Sequence, residues 1–484
     1  MDGPDGSPQR ASAGPRRRQV NADSLRRLSL IAVRDALASG EVSSEEVTRA
    51  AIEQADEHKD AYNLFVTYTP ERALADAKAA DAARATGRPL GPLHGVPITI
   101  KDNIDVAGVR TTCGSRVFAE RMPAADATVV AKLKAAGAIV TLGQTNLHEM
   151  AMGGTSTNPH YGAVHNPWNF DHVPGGSTGG GAACLALGIG YAAMGTDFGG
   201  SVRMPASFCG LVGLKQTHGV VSLQGIVASS NWNFDHIGPL TRDVAGVKLM
   251  LEVLAGYDPA DPESSPRPID AAPATVSLRG LRIGVPANYF WEDLDPQVEA
   301  LCKAAIDHLV AGGATVVKQD IRHLDLFAAI RAASGVDGWV LHEPYLTAHP
   351  DWYGEDIRYR LLASQFVLAA DYAKAQRARR LVMQALTDAA AAVDVLVMPT
   401  LPEPAPLIKP PEAGGSITMG RNTHPFNLNG LPAVSVPIGL TAEGLPVGLQ
   451  LVGSPFQDYR MLSIAAALES LVGFDPTPPI LRQP

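Results

Sequence analysis

The sequence predicts an α/β protein with a largely parallel sheet. Short β-type runs alternate with helix-type segments: Val96 to Ile100, then a helix over Asp126 to Ala136, then Ile139 to Leu142. The same alternation returns where Leu281 to Pro286 precedes a helix over Gln297 to Gly312. Hydrophobic residues make up 46% and charged residues 18% of the 484, the balance of a core-forming globular chain.

The elements follow in order. Ser43 and Glu46 form a capping box that opens a helix through Ala55. Arg72 to Ala83 is alanine-rich and helical. Val96 to Ile100 is a strand, which sets Lys101 at its end. Val173 to Gly181 carries too much glycine for either element and is a loop. It opens a buried helix over Ala182 to Met194, too short and glycine-broken to span a membrane. Leu211 to Leu214 returns to strand. After Asp258 a stretch rich in Pro, Asp and Ser reads as an exposed connection to Pro273. Leu324 to Leu386 is mostly helical, with Trp339, Tyr345, Trp352, Tyr353, Tyr359, Phe366 and Tyr372. Val395 to Met398 and Val434 to Val436 are buried-type strands, and Leu401 to Pro411 is a proline-punctuated loop.

Composition narrows the function. A net charge of −9 argues against a nucleic-acid surface. Cys113, Cys184, Cys209 and Cys302 are far apart with no Cys-x-x-Cys pair, which suits free thiols in a reducing, cytoplasmic setting. Residues 1–20 lack the apolar stretch of a signal peptide and read as a disordered tail. No run has the eighteen or so uninterrupted apolar residues of a spanning helix, so no membrane association is expected. His148, His160, His165 and His172 crowd one region at spacings that fit no zinc pattern, so they are read as loop residues, with no metal or cofactor.

One glycine-rich stretch carries the chemistry. It reads Pro174-Gly175-Gly176-Ser177-Thr178-Gly179-Gly180-Gly181, then Gly195-Thr196-Asp197-Phe198-Gly199-Gly200-Ser201-Val202-Arg203. Flanking glycines let a ligand reach main-chain N–H groups, so a serine there can be a nucleophile beside an anion-stabilising nest. Lys101 follows the apolar run Val96-Pro97-Ile98-Thr99-Ile100. Desolvation lowers a lysine's pKa and lets it act as a base. The ordinary alternatives are a capping serine in a tight turn, and a surface lysine paired with Asp102 or Asp105. Gly175-Gly176-Ser177-Thr178-Gly179 also fits a Gly-x-Ser-x-Gly nucleophile elbow, which would leave the Lys101 and Ser201 blocks unexplained.

Together with Thr145-Asn146-Leu147-His148-Glu149-Met150 and Phe426-Asn427-Leu428-Asn429-Gly430-Leu431-Pro432-Ala433, these blocks resemble the amidase signature hydrolases, from about Asp23 to about Leu471. Four blocks in order make the match specific. The resemblance implies one large domain over residues 21–484: a mixed, mostly parallel central sheet with helices on both faces. The signature core would cover about 90–245 and a variable, substrate-side region about 259–390. It implies a serine–cis-serine–lysine triad with Ser201 as nucleophile, Ser177 as the bridging serine after a cis peptide, and Lys101 as base. The two serines are 24 residues apart, the family spacing. Phe198, Gly199 and Gly200 would offer amides to the oxyanion, Ala151 and Met152 would border the substrate, and Thr196, Asp197 and Arg203 would support the loop.

The expected reaction is hydrolysis of a carboxylic amide, or a related ester or carbamate, by a free-standing monomer or homodimer acting on a small molecule. The alternative is the glutaminase component of a tRNA-dependent amidotransferase. That component carries an acid seven positions before the asparagine matching Asn427, where this chain has Gly420. Gln216 stands where the family often has proline, with no catalytic effect expected.

Overall fold

A computed structural model describes residues 22–227, 234–273, 275–409 and 419–482. The tail expected over 1–20 lies outside them, as do Pro410 and Pro411 of the expected loop.

The strands are β1 (Phe65–Tyr68), β2 (Ile98–Lys101), β3 (Gly143–Thr145), β4 (Thr157–Asn158), β5 (Gly162–Ala163), β6 (Ala192–Thr196) and β7 (Val212–Lys215). They continue with β8 (Ile237–Thr241), β9 (Arg282–Pro286), β10 (Thr315–Gln319), β11 (Val395–Pro399), β12 (Ala433–Leu440) and β13 (Pro446–Val452). β4 and β5 form a separate two-stranded ribbon; the rest build one 11-stranded sheet in the order β1-β3-β2-β6-β8-β7-β12-β13-β11-β9-β10. Parallel pairing forms two blocks, β3-β2-β6 and β11-β9-β10. An antiparallel centre through β8, β7, β12 and β13 joins them, and β1 closes one edge antiparallel. The sheet is therefore mixed.

Both faces are covered, and the alternation of strand side chains shows how. Ala192, Met194, Val395, Val397, Val434 and Val436 pack with Met250, Leu309 and Leu462, which come from the helices Val244–Leu254, Pro296–Ala311 and Asp458–Val472. The intervening Ala193 packs with Ala182 and Ala206 of the helices Gly179–Ala186 and Arg203–Phe208. Leu396, Met398 and Ala433 likewise turn to Ile330, Val382 and Leu386 of the helices Phe327–Ala333 and Ala369–Ala391. The fold is a single α/β domain.

Several expected elements fall into place. The Ser43–Glu46 capping box is present with both its bonds, and the helix it opens runs on to Tyr62, past the expected Ala55. The helices at Pro70–Ala85, Thr128–Ala135 and Pro296–Ala311 match their expectations closely. Two elements differ. The strand expected at Ile139 to Leu142 pairs only as an isolated bridge between Ile139 and Pro97; the ladder starts at Gly143. The helix expected to reach Met194 ends at Ala186. Gly188 and Gly190, at φ 83° and 81°, turn the chain back, and Ala192–Thr196 is a strand buried along its whole length.

Candidate active site

Lys101 is the last residue of β2 and is fully buried. Its Nζ donates to Ser177 Oγ at 2.7 Å and to Thr196 Oγ1 at 2.8 Å, with the Thr196 carbonyl at 3.5 Å. Asn103 Nδ2 donates to the same Thr196 hydroxyl at 3.1 Å and so holds it in place. Burial pushes the Lys101 pKa down to about 8, against the opposing charges of Asp235, Cys113 and Asp197. A surface pairing does not occur. Asp102 is engaged by the Thr112 amide and hydroxyl and the Gly114 amide, and Asp105 is paired with Arg121.

Ser177 follows a cis Gly176–Ser177 peptide, in the turn before the helix Gly179–Ala186. Ser201 sits in the matching turn before Arg203–Phe208 and is 6% exposed, whereas Ser177 is sealed. The Thr178 amide donates to the Ser201 carbonyl at 3.2 Å and ties the two turns together. Among the described residues no hydrogen bond joins the two serine hydroxyls. Lys101 therefore reaches Ser177 directly and Ser201 only through it.

The loop between Asp197 and Arg203 is organised by charge. Asp197 is buried and accepts from the amides of Gly200 (2.8 Å), Val202 (3.2 Å) and Arg203 (3.4 Å). Burial alone would raise its pKa; the Arg203 guanidinium, the Asn427 amide and Lys215 hold the carboxyl well below the usual range. One expected role changes here. Gly200 is not an available donor, because its N–H turns inward to Asp197. The N–H groups of Phe198, Gly199 and Ser201 make no hydrogen bond among the described residues, and Phe198 and Gly199 are partly exposed. They are the amides that can meet a developing oxyanion.

Arg203, also fully buried, uses all five of its N–H donors. Two go to Asp197, at 3.1 and 2.9 Å. The others go to the Thr423 carbonyl (2.9 Å), Gln450 Oε1 (2.7 Å) and Asn427 Oδ1 (2.6 Å). The Thr423 hydroxyl in turn donates to the Gly199 carbonyl at 2.7 Å. Arg203 thus clamps the segment around Thr423 and Asn427 against the loop. Thr423, His424 and Gln450 lie more than 200 residues from the loop and had no local motif to mark them; Asn427 lay inside a recognised block.

Ala151 and Met152 close a turn in which Met150 and Ala151 are both left-handed, at φ 52° and 56°. The Met152 carbonyl accepts from Arg360 of the helix Glu355–Ser364. Two buried pairs dock that helix region on the signature segment: His148 with Asp356 at 3.0 Å, and Glu149, which accepts from His160 (2.9 Å) and the Gly354 amide (2.7 Å). His165 bonds the Phe170 carbonyl and His172 the Ala405 carbonyl, so each of the four histidines has a structural partner. Among the described residues no group of three His, Cys, Asp or Glu side chains could hold a metal, and no helix is long and apolar enough to cross a membrane. The aromatic stretch does not gather at the site. Trp339, Trp352 and Tyr353 join a small core behind Met150, while Tyr345, Tyr359 and Phe366 are exposed.

The Amidase family profile matches residues 46–462. The chain belongs to the amidase signature family. It is an enzyme of the class acting on C–N amide bonds. It is 39% identical over 464 residues to the GatA-type component of the glutamyl-tRNA(Gln) amidotransferase of Moorella thermoacetica, covering 90% of this chain and 94% of that one. Among solved structures, it superimposes with TM-score 0.85 and 32% identity on an inhibitor-bound protein complex described as vestigial and as revealing the origins of an s-triazine catabolic enzyme, covering 92% of this chain and 99% of the other. A bacterial aryl acylamidase of the amidase signature family matches with TM-score 0.84 and 26% identity, covering 93% and 97%.

Proposed function

We propose that this amidase-family enzyme hydrolyses a carboxylic amide with Ser201 as nucleophile, Ser177 as proton relay and Lys101 as general base. The supporting observation is the sealed Lys101 amine 2.7 Å from Ser177 Oγ, with the Ser201 turn tied alongside. Ser201 attacks the carbonyl carbon and its proton passes to Ser177, whose own proton passes to Lys101. The carbonyl electron pair moves onto oxygen, facing the free amides of Phe198, Gly199 and Ser201. Collapse breaks the C–N bond, and the leaving nitrogen takes the proton back through Ser177. Water repeats the sequence on the acyl-enzyme and releases the acid. Thr196, Asp197 and Arg203 position these groups, and the region around residues 259–390, which reaches the site through Arg360 and Asp356, selects the substrate.

Two substrate assignments stand on different observations. The similarity to glutamyl-tRNA(Gln) amidotransferase components favours the glutaminase role, which is the better supported. On that assignment the chain works with partner proteins and a tRNA-linked product, neither of which the sequence alone suggested. Gly420 favours a chain acting alone on a neutral amide. A Cβ there would come within 3.1 Å of the Gly199 carbonyl, so position 420 borders the oxyanion loop and carries no acid for a substrate ammonium. The test is acid or ammonia release by the isolated protein from free glutamine and from a panel of neutral aryl and alkyl amides. Turnover of the neutral amides alone supports the free-standing enzyme. Preference for glutamine, or activity only with added partners, supports the glutaminase role.

A further inference from the structure

We infer that Asp235 is a positioning residue whose carboxylate supplies the negative charge that lets Lys101 take up the nucleophile's proton. The inference rests on the assignment of Lys101 as base. β6 lies between β2 and β8 in the sheet. Lys101 follows the Ile100–Met194 pair, and its amine bonds the Thr196 hydroxyl. On the far side Thr196 pairs antiparallel with Ile237, and the ladder continues one bond further, from the Asp197 amide to the His236 carbonyl at 2.7 Å. Directly paired residues share a face of the sheet and the alternation has period two. Asp235, two residues before Ile237, therefore shares the face of Ile237 and Thr196, at the sheet edge where the Lys101 amine ends. It is only 3% exposed, and among the described residues its carboxylate accepts a single hydrogen bond, from the His236 amide at 3.2 Å.

The other charged groups around Lys101 are committed or neutral. Asp102 is bound by Thr112 and Gly114, and Asp197 is paired with Arg203 at 2.9 Å. Burial pushes the Cys113 thiol up and the Lys215 amine and His236 ring down, so all three are uncharged near neutral pH; His218 stacks edge-on against His236. The direct partners of Lys101, the hydroxyls of Ser177 and Thr196, carry no charge. An ammonium formed in a sealed site needs a compensating charge, and Asp235 is the carboxylate left to provide it. Burial pushes its carboxyl up to about 7 and the Lys101 charge pulls it down, as expected of neighbours. In the reaction Asp235 takes no proton: Ser177 gives one to Lys101, and the ammonium and the Asp235 carboxylate then form a neutral pair.

The test is the pH dependence of Ser201 labelling by a fluorophosphonate, which needs no known substrate. In the wild type the rate should rise through about pH 8 as Lys101 loses its proton. Asp235→Asn keeps an acceptor for the His236 amide and removes the charge. Lys101 then holds its proton less tightly, and the rising limb should move to lower pH by about one unit or more. Asp235→Ser should do the same and carries the test if the Asn variant does not fold; Asp235→Glu should keep the limb near its wild-type place. A limb that stays put in a folded neutral variant overturns the inference. Lys101→Ala separates the two levels. If it labels at the wild-type rate, the base assignment itself falls. If it is silent while the neutral Asp235 variants titrate as wild type, only the role of Asp235 falls.

Discussion

Adding one methyl group at Gly200 tests whether the loop beside Ser201 works as a fitted part. Gly200 has φ 120°, a conformation side chains rarely adopt. A Cβ there would lie 2.2 Å from Thr423 Oγ1 and 2.7 Å from Thr423 Cβ. Thr423 cannot yield freely, because it is fully buried and its hydroxyl holds the Gly199 carbonyl. Backbone strain costs about 1–3 kcal/mol. The displaced Thr423 bond adds about 1 kcal/mol, and weakening the Gly200 bond to Asp197 adds about as much. The total for Gly200→Ala is about 3–5 kcal/mol, within the roughly 5–15 kcal/mol that holds a folded domain. The variant should fold, with a lowered denaturation midpoint. Moving the amides of Gly199 and Ser201 should slow turnover and Ser201 labelling roughly 10²–10³-fold, the scale of one lost oxyanion donor. Gly87→Ala is the control. Its φ is 70° and a Cβ meets nothing within 4 Å, so it should cost about 1 kcal/mol and leave the rate alone. If Gly200→Ala keeps its rate within about threefold and loses no more stability than Gly87→Ala, the fitted-loop argument is wrong.

Lys101→Ala should lower the rate by several orders of magnitude, the scale of losing a triad member, and more than roughly a tenth of the activity remaining would exclude it as base. Because burial lowers its pKa to about 8, the wild-type rate should rise from neutral to alkaline pH; a rate flat from pH 6 to about pH 9 would contradict this. Arg203→Lys keeps the charge but offers three donors where five are used, and should cost about 2–4 kcal/mol by chemical denaturation; less than about 1 kcal/mol would mean the clamp is not structural. Prolonged chelator treatment should leave labelling unchanged, since the four clustered histidines are engaged by Asp356, Glu149 and two carbonyls; a loss restored by zinc would show otherwise.

The parts of the site that were legible in the sequence are those written in contiguous residues. The apolar run before Lys101 announced a buried strand end, and the glycines around Ser177 and Ser201 announced turns with open amides. The capping box at Ser43 announced a helix start by its own hydrogen bonds. The parts that were not legible depend on distant chain. An apolar run reports burial and not pairing, so Ile139 to Leu142 looked like a strand although the ladder begins at Gly143. Alanine and methionine favour helices when alone, yet Ala192 to Met194 form a strand because β2 and β8 flank them. That Gly200 faces inward follows from the need of a buried Asp197 for donors, which no local spacing encodes. The roles of Asp235, Thr423 and Gln450 exist only once the sheet brings them beside the loop.

The most direct test of the central claim is to find which serine reacts. The protein would be treated with a fluorophosphonate probe, digested, and the labelled peptide identified by mass spectrometry, with Ser201→Ala and Ser177→Ala run in parallel. The account predicts a single adduct on Ser201. It should be lost in a folded Ser201→Ala and strongly slowed in Ser177→Ala, where the route from Lys101 is cut. An adduct on Ser177, or full amide turnover by Ser201→Ala, would contradict it.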